Sequence, residues 1–193
     1  MFALLGILGG LVFIVADIPY IRDILRGKTK PHRVSWFLFF ILNATNVANQ
    51  AASGATNSLW LPIAATIITF GIFVLSIKRG MGGFAKLDIL CLVGALTGLL
   101  LWAVLKTPLA SLLCNLAVAT IAVIPTIKKA YSRPDTETHI TYLIASISGI
   151  IAAISVGSWN YRLLLLPFHD FLIQFIIYLV LITRSKKVGL LHR

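Results

Sequence analysis

Acidic side chains are scarce in this sequence. Its 193 residues include six Asp and Glu against seventeen Lys and Arg, and charged residues of either sign make up only 12%. Cysteine is nearly absent. Cys91 and Cys114 both lie inside apolar runs, which excludes a disulfide framework and marks them as small core residues. No His or Cys stands at ligand spacing from them, so no metal site is expected. There is no Gly-rich phosphate loop, no Cys/His cluster and no Ser, His and Asp arrangement for nucleophilic catalysis. The chain is therefore not expected to be an enzyme or to carry a cofactor. Basic residues are also missing ahead of the first apolar run, so Met1 to Ala16 reads as a retained first helix and not as a cleaved signal peptide.

What the chain has in abundance is apolar side chains, 59% of the total, with a mean hydropathy of +0.95. A soluble domain of this length has too little interior to hide that much apolar surface, so a bilayer is the natural solvent. The net charge of +11 sits in short clusters between apolar runs, which is how membrane topology is written. No surface interleaving aromatic and basic residues is visible, so nucleic acid is excluded as a partner. Contact with anionic lipid headgroups is the expected by-product.

Seven apolar segments emerge, at Phe2 to Pro19, Arg33 to Ala52, Ser58 to Lys78, Lys86 to Leu105, Pro108 to Lys128, Thr138 to Gly157 and Leu163 to Thr183. Each is near the length that spans a hydrocarbon core, and each is expected to be helical because open strands leave backbone groups unpaired in lipid. The loops after segments one, three, five and seven hold fifteen of the seventeen basic residues, leaving only Lys106 and Arg162 for the other side. That bias predicts an inner (plasma) membrane protein with its N-terminus outside and its C-terminus in the cytosol.

An internal repeat organises these segments. Pro19 matches Pro125, Arg22 matches Lys128, Ser35 matches Thr141 and Trp36 matches Tyr142, all at an offset of 106. Further on, Pro62 matches Pro167, Phe70 matches Phe175 and Arg79 matches Arg184 at an offset of 105. Two similarly oriented halves of three helices need an odd number of spans between them. The expected architecture is thus an all-α membrane protein of seven transmembrane helices in a 3+1+3 arrangement. Residues 1–80 form the first three-helix bundle, 81–106 the linker helix and 107–193 the second bundle. Gly6 and Gly10, and Gly94 and Gly98, are GxxxG pairs suited to close helix packing.

The repeat also carries a resemblance. Pro19-Tyr20-Ile21 with Gly27-Lys28-Thr29 and Ser35-Trp36, and Pro125-Thr126-Ile127 with Lys128 and Tyr131, resemble the proline signature and basic first loop of the PQ-loop and SWEET superfamily of small membrane transporters. Tyr20 and Thr126 stand where many members have glutamine. The resemblance spans nearly the full length and implies two three-helix bundles that rock about matching prolines. Pro19 and Pro125 each lack an N–H and release the carbonyls of Val15 and Ile121, so they are the candidate hinges.

Polar residues inside apolar segments mark the candidate site. Asn43, Asn46, Asn49 and Gln50 lie on the second segment, with Asn43, Asn46 and Gln50 near one stripe. Buried amides facing lipid are costly, so the stripe is expected to face inwards. The seventh carries His169, Asp170 and Gln174, and an ionisable residue in a span is a functional candidate that could exchange protons. His169 points about 100° away from Asp170, so both are not expected to face one cavity squarely. Asn115 on the fifth and Thr66 and Thr69 on the third lie at similar depth, the threonines being expected to bond their own backbone. Asp17 is expected near the cytosolic interface, paired with Arg22 or a loop lysine as a gate latch. Trp36, Trp60, Trp102 and Trp159 fall at segment ends and read as an aromatic belt. The expected function is alternating-access transport of a small polar solute, with protons as a possible co-substrate and either a monomer or a homo-oligomer as the working unit. A receptor that binds without transporting is the competing reading.

Overall fold

The computed structural model describes residues 1–52, 55–83, 85–105 and 108–187, a few helical side chains among them excepted. Among the described residues every regular element is helical: α1 (Phe2–Leu25), α2 (Arg33–Ala52), α3 (Trp60–Arg79), α4 (Lys86–Leu105), α5 (Pro108–Ser132), α6 (His139–Ser155) and α7 (Tyr161–Lys187). Short 3-10 turns at Asn57–Leu59 and Pro134–Thr136 lead into α3 and α6. The helices fall close to the seven apolar segments, with one clear difference: α1 runs on through Pro19 to Leu25 instead of ending beside the proline. α5 and α7 likewise carry Pro125 and Pro167 in their interiors, as their segments implied. Neighbouring side chains hold these helices together where a backbone hydrogen bond is lost.

Side-chain exposure is inverted relative to a water-soluble bundle. On α1, Leu4, Leu8, Leu11, Val15 and Ile18 form an exposed stripe at alternating steps of four and three, while Gly6, Gly9, Gly10, Ala16, Asp17 and Tyr20 are buried. On α3, Ile63, Ile67, Phe70, Val74 and Ile77 repeat the pattern. Contiguous apolar stripes facing outwards require lipid and not water around them. Phe2–Leu25, Trp60–Arg79, Leu112–Ser132 and Tyr161–Lys186 are long and apolar enough to cross a bilayer. The chain is a multi-pass membrane protein. α2 falls short because its amides lower its hydropathy, and α6 has only 17 residues.

Small residues set the closest approaches. A side chain at Gly6 would strike the carbonyl of Asn57, and one at Gly10 would sit 3.0 Å from the carbonyl of Trp60, so α1 lies directly on the start of α3. Gly9 faces the backbone of Ser148 and Ala152 on α6. Gly149 on α6 meets the backbone of Pro167 and Phe171 on α7. Of the second GxxxG pair, Gly94 makes ordinary contact with Ile121, and Gly98 lies outside the described side chains. The helix pairings are α1–α3, α2–α3 and α1–α6 on one hand, and α5–α7, α6–α7 and α5–α2 on the other, with α4 against α5. The main core, Tyr20, Ile24, Trp36, Ile72, Val123, Ala130, Tyr142, Ile177 and Leu181, joins six of the helices near one end.

The loops rich in basic residues gather at that same end. α1 stops at Gly27, whose φ of +74° turns the chain out of the helix while Lys28 N donates to Asp23 O. The following loop is tied to the α3–α4 connection: Arg33 donates to the carbonyls of Ser76, Gly80 and Gly82, and Met81 N to Pro31 O. His32 reaches Asp88 Oδ1 at 3.2 Å, and the other carboxylate oxygen of Asp88 accepts from Gly83 N and Ala85 N at the head of α4. Burial pulls the His32 imidazole below its usual 6.5, outweighing the upward pull of Asp88. A neutral ring fits the geometry. Nε2–H donates to Asp88, and the buried Nδ1 without a partner is then a bare acceptor and not a stranded N–H.

Candidate functional site

Polar side chains from six helices meet around a cavity of about 80 Å³, room for a few ordered waters. α2 contributes Asn43 and Asn46, α5 Asn115, α3 Thr69, and α7 His169, Asp170 and Gln174. All seven candidate binding residues thus border one space. Asn46 and Asn115 are buried, and Asn115 Nδ2 donates to Asn46 Oδ1 while Asn115 Oδ1 is left without a partner. Thr69 spends its proton on Ala65 O at 2.6 Å, and Thr66 likewise bonds Pro62 O, as threonines in a membrane helix commonly do. Gln50 does not border the cavity, and the side chain of Asn49 lies outside the described set.

His169 and Asp170 both reach the cavity, although their helical positions diverge. Thr120 on α5 gives its own proton to Leu116 O, so His169 Nε2–H is the donor in the 3.0 Å contact with Thr120. His169 Nδ1 is then 3.7 Å from Asp170 Oδ1. The Asp170 side chain is 39% exposed and Arg162 does not pair with it, stacking instead on Tyr161. Asp170 lies nine residues into α7, roughly 13 Å along the axis.

Two expectations need correction. Asp17 is no latch. It is buried in the cavity wall, and among the described residues no hydrogen bond or ion pair reaches it, because α1 continues beyond Pro19 and turns Asp17 inwards. Trp36 is not in an aromatic belt either. It is 7% exposed and packs 5.2 Å from Tyr20, to whose hydroxyl its Nε1 donates, whereas Trp60 and Trp159 are exposed. Trp102 lies outside the described side chains. Pro19 and Pro125 sit inside their helices and do not border the cavity.

Sequence reasoning passed over the closure at the basic end. Tyr20 packs against both Trp36 and Tyr142, which border the cavity, with Tyr20 and Tyr142 edge to face at 6.2 Å. Tyr142 donates to Oε2 of Glu137, the single glutamate in the sequence, at 2.8 Å. Glu137 Oε1 pairs with Lys129, which also donates to the Lys30 carbonyl, and both side chains of the ion pair are at most 4% exposed. Beside them Thr29 and Thr138 share a 2.7 Å hydrogen bond, Thr138 donates to Asp23, and Lys30 N donates to Thr136 O. Residues near 30 and near 137 are thereby sewn together across the bundle. The offset of 106 that matches Trp36 with Tyr142 was the available signal, since it singles out both rings.

The fold and site define an all-α, multi-pass membrane protein with a polar, partly acidic cavity that is shut at its basic end. Comparison with protein-family models, with curated proteins and with solved structures finds no match.

Proposed function

We propose that the chain is a carrier that moves a small polar solute by alternating access, on a SWEET-like plan of two three-helix bundles joined by α4. In this reading all seven helices span the plasma membrane, with the N-terminus outside and the basic end in the cytosol. The observation that carries it is the convergence of Asn43, Asn46, Asn115, His169, Asp170 and Gln174 on one cavity within a lipid-facing bundle. Amides and carboxylates are too costly in lipid to gather there without a wet path or a ligand.

The helix pairings support the duplication. Exchanging α1 with α5, α2 with α6 and α3 with α7 turns the pairs α1–α3, α2–α3 and α1–α6 into α5–α7, α6–α7 and α5–α2, all of which occur. The cavity lies between the two trios, and the Lys129–Glu137 and Thr29–Thr138 pairs close its cytosolic mouth. Rocking about Pro19 and Pro125, where each helix lacks a backbone hydrogen bond, would part those pairs and expose the solute to the cytosol. Asp170, partly wetted and facing His169, is the candidate for proton coupling.

Purified protein in proteoliposomes should take up one class among labelled sugars, amino acids, nucleosides and vitamins, and Asp170→Asn should change the pH dependence of uptake. Uptake indifferent to pH in both forms removes the proton coupling. A solute that binds and never crosses identifies a receptor.

A further inference from the structure

Asp17 is the buried acidic group that no other described residue engages. It is 2% exposed and borders the cavity, and among the described residues no polar contact reaches it. Among the described residues neither Lys nor Arg borders that cavity. The titratable groups that share it are Asp170, His169 and Tyr142, and His169 is oriented towards Asp170, leaving Asp17 without a countercharge. Two further acceptors stand open on the same wall, because Asn115 Oδ1 and Thr141 Oγ1 are buried and, among the described residues, without partners. Rings surround them. Phe13, one turn from Asp17 on the same face of α1, borders the cavity together with Trp36, Phe39 and Tyr142. A carboxylate away from water carries its charge at tolerable cost only when a cation stands beside it. Ring faces attract an ammonium group, and surplus acceptors call for a ligand rich in N–H donors.

We propose that the solute is a small organic cation bearing a primary ammonium group, with Asp17 as its counter-ion and the open acceptors of Asn115 and Thr141 available to its remaining N–H donors. This assignment deepens the carrier reading and takes its site from it. A neutral solute leaves Asp17 uncompensated, and an anion would meet two carboxylates.

The test compares matched pairs on the full-length protein in nanodiscs: ethanolamine against ethylene glycol, and putrescine against 1,4-butanediol, with NaCl as the inorganic control. Thermal shift and calorimetric titration should show saturable binding of the amines and none of the diols. Asp17→Asn should weaken amine binding by about tenfold or more, while Asp17→Glu, which keeps the charge, should retain most of it. The amine–diol contrast is made on the unmutated chain, so it stands even if Asp17→Asn fails to fold. Diols binding as tightly as amines, Na⁺ stabilising the protein equally, or no binding by either amine overturns the proposal. Proteoliposomes separate it from the carrier reading. Uptake of labelled glucose with no amine binding sinks the charge assignment alone, whereas amine binding without putrescine uptake sinks transport alone.

Discussion

The buried ion pair between Lys129 and Glu137 offers the sharpest test of the closed mouth. Both side chains are almost wholly removed from water, and Glu137 is held at the same time by the Tyr142 hydroxyl. In Lys129→Met the glutamate is left without its cation, and breaking one partner of a buried pair costs about 3–5 kcal/mol. In the proposed carrier an open mouth at the basic end would rehydrate Glu137, so that cost falls on the closed form. At about 1.4 kcal/mol per decade, the closed-to-open ratio should drop by roughly two to three and a half orders of magnitude. Thr141, 3% exposed on the cavity wall, reports the change once replaced by cysteine in a chain lacking Cys91 and Cys114. Its labelling by a membrane-impermeant maleimide, applied from the side of the basic end, should accelerate by a comparable factor. The double variant K129M/E137Q removes both charges yet leaves an acceptor for Tyr142, and it should return labelling towards its original rate. Unchanged labelling in a well-folded Lys129→Met protein, or a double variant as open as the single one, would refute the reasoning.

Two further outcomes follow from packing and titration. The His32 imidazole sits below 6.5 in the folded chain, so the unfolded state binds more protons as pH falls through that value. The His32 contribution to stability should therefore be intact above pH 6.5 and decline below it. His32→Gln should flatten the thermal-melting profile between pH 7.5 and 5.5, and parallel profiles would count against the assignment. A methyl at Gly149 would lie 2.9 Å from Phe171 N and 3.0 Å from Pro167 O, whereas one at Gly71 would meet nothing within 4 Å. Gly149→Ala should cost about 1–3 kcal/mol and Gly71→Ala nothing or a slight gain, measured by thermal melting in detergent. Equal melting temperatures for the two would show that α6 and α7 are not in backbone contact.

Much of this protein could be read from the order of its residues. The helices at Arg33–Ala52 and Lys86–Leu105 begin and end where the apolar runs do, since lipid leaves a segment of that length little alternative to a helix. The inward turn of Asn43, Asn46, Asn115 and Gln174 was legible for the same reason, because an amide facing lipid is penalised wherever its helix packs. Tertiary structure alone decided the rest. Pro19, Pro125 and Pro167 can end a helix or be carried through it, and only neighbouring helices select the second outcome. That choice turned Asp17 from a surface latch into a cavity wall. The partnership of Lys129 with Glu137, eight residues apart across a turn, and the placement of Trp36 against Tyr20 depend on how six helices meet at one end. A hydrophobic pattern fixes which face of a helix avoids lipid. It carries no information about which buried groups find one another there, because that depends on backbone approaches set by residues as distant in sequence as Gly9 and Ala152.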